Sequence, residues 1–415
     1  MNNQQRIAAL IKNILSFLRD GSLVGFFGAL YSKSSLLVNL LIANTFMHPT
    51  EFGRLSLFLI LANVIAAVVS CGGDMWLNQF TRRSNATNNE SSLFSRDYLI
   101  LSLKISSLIT SIAIVCVFIA LDYSLALFTA VVLGLNEMGM AIIRSSNRVM
   151  KFFIVRDILF PGLLTASLFI IKPLSAAHYF TITIIVNTIL FFITILYLIK
   201  YRHIYLRKSN LLQKTNVLLY TSGLIVNNFV SRVNGAIDSL LLGHFLPLDL
   251  VGKFRLGTQV ANGFMILQHY LCLAMPWQLF NPKNKETLPI IKQNHMFLLG
   301  LTLLSMIIMF LLNPFLPLVL GSFTETLRVP LFIILLVRFL ELLWGPQHEL
   351  LISNGKIIED TLAGITGLVA FVLSFLICHL LSITILYSIT VGLCLSAHAS
   401  QIVRRYILTK ANLYE

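Results

Sequence analysis

Long apolar segments recur along the whole chain, and they restrict the fold more than any other feature of the sequence. A helix needs about 20 mostly apolar residues to cross the hydrocarbon core of a bilayer. Twelve segments meet this requirement: 22–46, 55–79, 98–120, 123–143, 152–171, 177–199, 216–246, 252–280, 294–320, 329–353, 361–380 and 382–403. Because runs of alternating polar and apolar residues are absent, the pattern predicts an all-α membrane protein and excludes a transmembrane β-barrel.

The composition excludes the main classes of soluble protein. Of the 415 residues, 57% are hydrophobic and 12% are charged, whereas soluble domains contain about 25% charged residues. A soluble enzyme, a nucleic-acid-binding protein and a secreted disulfide scaffold are therefore all excluded. No cleavable signal peptide is evident, and the amphipathic residues 1–20 are predicted to form a cytoplasmic interfacial helix.

The net charge of +14 is mainly a signal of membrane orientation. If the N-terminus is cytoplasmic, 21 of the 31 Lys and Arg residues fall on the cytoplasmic side and five fall outside. Cytoplasmic loops carry an excess of basic residues, so the split predicts that both termini are cytoplasmic. The five residues expected outside are Arg54, Lys172, Lys253, Arg255 and Arg328.

The chain contains an internal repeat at an offset of 199 residues. Residues 39–63 align with residues 238–262 without a gap, and Gly53 coincides with Gly252. We therefore expect an N-terminal six-helix bundle (21–199), a basic linker (200–215), a C-terminal bundle (216–403) and a cytoplasmic tail (404–415). Both bundles enter the membrane in the same sense, as in secondary transporters with a parallel repeat and a substrate site between the halves.

Two basic residues occupy matching mid-span positions in the repeat. Lys33 aligns with Arg232, and charges inside a bilayer usually face protein or a water-filled cavity. Asn227 and Asn228 add polar groups near Arg232. The pair predicts a cavity that binds an anion, and the structural alternative is a salt bridge, for example between Arg232 and Asp238.

Further charged residues within the spans are candidates for anion binding or ion coupling. Arg338 and Glu341 are three residues apart, so they share a helix face and either neutralise each other or leave Arg338 to bind an anion. Glu137 lies at a comparable place in the first half. It is a candidate for proton coupling, and a hydrogen bond to a neighbouring helix is the alternative. Asp238 is a third candidate acid for coupling.

The sequence resembles the bacterial lipid-linked O-antigen flippases of the multidrug/oligosaccharidyl-lipid/polysaccharide exporter superfamily. The resemblance rests on residues 238–254, which begin the second half, and on Glu51-Phe52-Gly53 before span 2. It rests further on Gly72-Gly73-Asp74 with Arg82-Arg83 after that span. The layout of twelve spans, short loops and a six-plus-six repeat extends the resemblance over most of the chain.

Membership of this family would imply a V-shaped pair of bundles around a central cavity lined by cations, with Lys33 and Arg232 in that role. The implied activity is the flipping of an undecaprenyl-pyrophosphate-linked oligosaccharide to the periplasmic leaflet of the inner membrane. The side chains of Tyr31, Tyr270, Asn227 and Asn228 would be candidates for contacts with its sugars. The implied partners are bilayer lipids, a polysaccharide polymerase and glycosyltransferases, with no nucleic acid, cofactor or metal.

Two alternatives remain open at this stage. One is a drug antiporter of the same superfamily or another twelve-span secondary transporter. The other is a membrane enzyme of the O-antigen polymerase type, although the predicted external loops are short and contain no metal-binding pair of acids. The sequence therefore favours a transporter over an enzyme.

Overall fold

The computed structural model describes residues 22–72, 91–117, 120–145, 154–200, 217–263, 324–344 and 347–411, together with residues 300, 303 and 307. The helices of the first half are α1 (Ser22–Phe46), α2 (Pro49–Val69), α3 (Ser91–Val117), α4 (Leu121–Ser145), a π-helical turn (Ile154–Leu159), α5 (Phe160–Ile171) and α6 (Ala176–Lys200). Those of the second half are α7 (Val217–Asn234), α8 (Ile237–Phe245), α9 (Leu248–Gly263), α10 (Thr324–Leu343), α11 (Gln347–Ser353), α12 (Ile357–Leu380) and α13 (Ile385–Lys410).

The described residues form an all-α membrane protein, as the apolar segments predict. Six of these helices are long and apolar enough to cross a membrane. Many of their large apolar side chains are exposed on the protein surface, such as Leu196, Leu108 and Leu380. An exterior of this kind is stable in lipid, because hydrocarbon removes the need for surface charge. The predicted segment 1–20, all of segment 200–215 except Lys200, residues 264–280 of predicted span 8 and most of 294–320 lie outside the described residues.

The structure has two helices where the sequence predicts the single span 7. Helix α7 ends at Asn234 and α8 begins at Ile237, so Gly235 and Ala236 form a turn. Glycine is a poor helix former, and the Ala236 amide bonds the Val233 carbonyl at 3.0 Å, which tightens the chain at this point. Average hydropathy over a whole segment does not detect a break of two residues.

The helix boundaries repeat at the offset found in the sequence. Helix α1 ends at Phe46 and α8 ends at Phe245, while α2 begins at Pro49 and α9 begins at Leu248. Both pairs are separated by 199 residues. The match shows that the aligned residues occupy equivalent structural positions, although α1 is continuous where its counterpart is broken.

The two halves meet where the repeat-related helices α2 and α9 cross. A Cβ atom added to Gly252 would lie 3.2 Å from the Cα atom of Gly53, and one added to Gly53 would overlap the carbonyl group of Leu248. The missing side chains therefore let the two backbones approach closely, as small residues do at helix contacts in membranes. The conserved offset places the same residue type on both sides of this crossing.

A buried carboxylate joins four helices of the second half. Asp360 on α12 is 1% exposed and accepts hydrogen bonds from Arg404 Nε on α13 (2.8 Å) and Asn227 Nδ2 on α7 (2.8 Å). His348 Nδ1 on α11 lies 2.7 Å from the same carboxylate. Polar contacts that satisfy a buried charge from several elements fix the helices relative to one another.

We predict that Gly53→Ala destabilises the protein, because the new methyl group would overlap the Leu248 carbonyl. Overpacking of this kind costs about 1–3 kcal/mol. The measurement is the thermal unfolding temperature of the purified protein in detergent. The matched control is Gly223→Ala on α7, where no described atom outside the neighbouring backbone of α7 lies within 4 Å of the added methyl group. Equal unfolding temperatures for the two variants would contradict the prediction.

We also predict that Asp360→Ala lowers the unfolding temperature strongly, because Arg404 and Asn227 lose their shared acceptor. Removing one partner of a buried ion pair costs about 3–5 kcal/mol. The control is Glu359→Ala, the neighbouring residue, whose pair with Lys356 is partly exposed at 3.4 Å and is expected to contribute about 0–1 kcal/mol. The prediction fails if the Glu359 variant is as unstable as the Asp360 variant.

Candidate functional site

Helix α7 carries two polar stripes that face different neighbours. Asn227 and Asn234 face α12, where Asn227 binds Asp360 and Asn234 Nδ2 donates to the Gly364 carbonyl at 2.9 Å. Asn228 and Arg232 face α2 of the first half. Adjacent helical residues point about 100° apart, so Asn227 and Asn228, which the sequence groups together, belong to different contacts.

The stripe that faces the first half follows the C-terminal part of α2 and the turn after it. In the middle of α7, the Leu224 carbonyl oxygen would lie 2.9 Å from a Cβ atom on Gly72. One turn later, Asn228 Nδ2 lies 3.4 Å from both the Ala67 carbonyl oxygen and Ser70 Oγ. Because these positions on α7 recur every four residues, they form one continuous antiparallel contact between the halves.

Arg232 lies at the C-terminal end of this contact on α7 and binds two elements of the first half. Its Nη2 atom lies 2.6 Å from Glu137 Oε2 on α4, and its Nη1 atom donates to the Asn63 carbonyl on α2 at 3.1 Å. The sequence placed Arg232 and Glu137 in separate roles and named Asp238 as the structural partner of Arg232. The structure instead joins Arg232 to Glu137, 95 residues away in the sequence.

Arg232 also lies just before the break in span 7. Gly235 follows it by three positions, and α7 ends at Asn234. The C-terminal end of a helix carries partial negative charge, which favours a cation in its last turn. Broken helices within the membrane commonly form substrate or ion sites in transporters, so this break is a second reason to regard Arg232 as part of the site.

The remaining predicted charges form a separate cluster within the second half. Arg338 Nη1 lies 2.6 Å from Glu341 Oε2 on the same helix, α10, as expected from their spacing. Asp238 on α8 is 5% exposed and interacts electrostatically with Arg255 and Arg338. Its members all lie on α8, α9 and α10 of the second half.

Arg255 was predicted to face outside, near the start of the predicted span 252–280. It lies in the middle of α9 (Leu248–Gly263), which begins four residues before that span, and it interacts electrostatically with the buried Asp238. Its position relative to the membrane stays a prediction.

The remaining predicted site residues are Lys33, Tyr31 and Tyr270. Lys33 lies on α1, and its side chain is outside the described residues. Tyr31, on the same helix, is 43% exposed and lies close to Gly162 of α5. Tyr270 lies outside the described residues. Ser35, which flanks Lys33, is buried and donates to the Pro161 carbonyl at 3.2 Å, so this face of α1 packs against α5.

Solved structures share this fold over nearly the whole chain. The MATE multidrug transporter DinF-BH, in a ligand complex, gives a TM-score of 0.76 at 17% identity, with 96% of each chain covered. A mutant of the Vibrio cholerae MATE transporter VcmN gives a TM-score of 0.70 at 12% identity, covering 97% of this chain and 99% of that chain. An outward-facing multidrug resistance MATE family transporter of the MOP superfamily gives 0.67 at 15% identity, covering 95% and 97%.

Comparison at the level of sequence finds no relative. No model of a known protein family matches the chain, and no curated protein matches it. Three of the similar solved structures are named as transporters. The chain is therefore a multi-pass membrane protein with the fold of the MATE transporters of the MOP superfamily.

Proposed function

We propose that this chain is an alternating-access transporter of the inner membrane, with both termini in the cytoplasm. Its proposed cargo is an undecaprenyl-pyrophosphate-linked oligosaccharide, moved from the cytoplasmic to the periplasmic leaflet. The observation that carries the proposal is Arg232, a cation in the contact between the two halves, which aligns with Lys33 in the repeat. A cargo that binds between the halves would meet these positions.

The balance of charge within the spans favours an anionic cargo. Each of the predicted coupling acids interacts with an arginine: Glu137 with Arg232, Glu341 with Arg338, and Asp238 with both Arg255 and Arg338. Lys33 adds another positive charge on α1, which contains no acidic residue. An excess of positive charge in a bilayer is expensive unless an anion compensates for it.

The chemistry of the lipid-linked cargo fits this arrangement. A pyrophosphate cannot cross hydrocarbon unaided, and charge-assisted hydrogen bonds from basic side chains replace its lost hydration. The polyprenyl tail can remain in lipid while the head group passes between the halves. Asn228 and the partly exposed Tyr31 are the described candidates for contacts with the sugars, and Arg338 is a further candidate cation.

Drug antiport is the second candidate function, and the comparisons favour it. The solved structures with this fold include transporters described as multidrug transporters. A cationic drug needs an accessible carboxylate between the halves. Glu137 is in that position with 31% of its side chain exposed, but it is engaged by Arg232. A genetic experiment with two readouts separates the candidates.

We predict that deletion of the gene traps single lipid-linked repeat units on the cytoplasmic leaflet and that the wild-type gene restores export. Extraction and mass spectrometry of the lipid-linked intermediates, with labelling of surface glycan, would measure this. Drug accumulation is measured in the same strains. Normal surface glycan combined with increased drug accumulation would reject the flippase proposal and support antiport. The host must have no second exporter for this glycan.

We further predict that Lys33→Ala and Arg232→Ala each reduce export by about 10- to 100-fold, while the protein remains in the membrane at the wild-type level. This range corresponds to about 1.5–3 kcal/mol for a hydrogen bond to a charged group. The control is Lys104→Ala, an exposed lysine on α3, which is expected to retain export. Full export by both test variants would remove Lys33 and Arg232 from the site.

A further inference from the structure

We infer that Glu137 is a resident anion that occupies Arg232 when no cargo is bound, and that an anionic group of the cargo displaces it. The inference rests on the proposed anionic cargo and adds a role for a residue on the opposite half. In this role Glu137 is a positioning residue that acts through Arg232, since it does not itself hold the cargo.

The geometry of the pair is suited to exchange. Glu137 Oε2 lies 2.6 Å from Arg232 Nη2, and the side chains of Arg232 and Glu137 are 26% and 31% exposed. Both groups are therefore reachable from outside the protein interior. A fully enclosed pair, such as that of Asp360 at 1% exposure with Arg404, would have to be unpacked before another anion could enter.

A phosphate group can make the same contacts with Arg232 that the Glu137 carboxylate makes. Carboxylate and phosphate oxygens accept the same charge-assisted hydrogen bonds from a guanidinium group, and phosphate fits its planar fork in bidentate fashion. A pyrophosphate also carries more negative charge than a carboxylate. The two anions compete for one donor, so Glu137 lowers the apparent affinity for cargo by the fraction of time that it occupies Arg232.

The exchange changes the contact between the two halves. Glu137 lies on α4 of the first half and Arg232 lies on α7 of the second, so their ion pair links the halves only when these helices are near each other. A ligand shifts a conformational equilibrium in proportion to its different affinities for the two states. Displacement of Glu137 removes a contact that is specific to this conformation, and release of cargo restores it. The empty transporter is thereby returned to one conformation.

Another ion pair on α4 provides a matched control. Asp122 lies on the same helix, 15 residues before Glu137 and about 22 Å away along its axis, and pairs with Arg54 on α2 at 3.4 Å. This pair joins two helices of the first half and does not link the halves. Neutralising Asp122 removes the same charge from the same helix without releasing Arg232.

The test is calorimetric titration of the purified full chain in lipid nanodiscs with inorganic pyrophosphate. Glu137→Gln is expected to bind pyrophosphate at least tenfold more tightly than wild type. Asp122→Asn is expected to match wild type, and Arg232→Gln is expected to lose binding. Equal or weaker binding by Glu137→Gln would overturn the inference, since a purely structural ion pair does not compete with a ligand. Absence of pyrophosphate binding by the wild-type protein would overturn it as well.

A second variant covers the case in which Glu137→Gln does not fold. Glu137→Asp keeps the charge but withdraws the carboxylate by one methylene, so it is expected to tighten pyrophosphate binding at least threefold. Unchanged binding by this variant would overturn the inference. The proposed function is judged separately by export: tighter binding by the Glu137 variants together with normal surface glycan in the deletion strain would support the exchange and reject the cargo.

Discussion

A charged side chain inside a bilayer must be neutralised, and much of this structure depends on how the chain meets that constraint. Among the described basic residues of the second half, Arg232 and Arg404 reach acids on other helices, and Arg338 reaches an acid on the next turn of its own helix. Asp360 and Arg232 are neutralised in two different settings. Asp360 is enclosed and holds α7, α11, α12 and α13 together, whereas Arg232 is partly exposed and holds the two halves together. Helix α7 takes part in both contacts and is therefore fixed to its own half while it faces the other.

The contact between the halves combines two kinds of interaction with different consequences for motion. At the crossing of α2 and α9, Gly53 and Gly252 allow close backbone packing without a specific polar bond. Contacts of this type depend on shape and permit small rotations. Arg232 instead makes directional, charged bonds to Glu137 and Asn63. Rocking of one half against the other requires both features: a helix crossing without specific polar bonds, and an ion pair that can separate and form again.

The sequence predicts the helices and the repeat well because both depend on local patterns. Apolar segments locate the described helices but not all of their ends, since segment 55–79 corresponds to α2 (Pro49–Val69) and segment 382–403 to α13 (Ile385–Lys410). The 199-residue offset recurs in the boundaries of α1, α2, α8 and α9. Partners depend on distant parts of the chain and are not encoded locally. Glu137 is 95 residues from Arg232, and Arg404 is 44 residues from Asp360. Asp360 was missed because it lies at the polar start of a span. In a chain with few acids, an acid at a span start with a histidine 12 residues before it is the signal that could have identified this buried contact.

The two halves of the repeat contribute different residues to the site, and this difference affects the mechanism. The first half contributes Glu137 and the continuous helix α1, while the second half contributes Arg232 and the break between α7 and α8. Two identical halves would place equal cations opposite each other, and an empty transporter would then hold unbalanced charge in the bilayer. Because the first half supplies a carboxylate to Arg232, this position is neutral without cargo. Exchange of one anion for another keeps it compensated when cargo enters, so neither the loaded nor the empty state leaves a bare guanidinium in hydrocarbon.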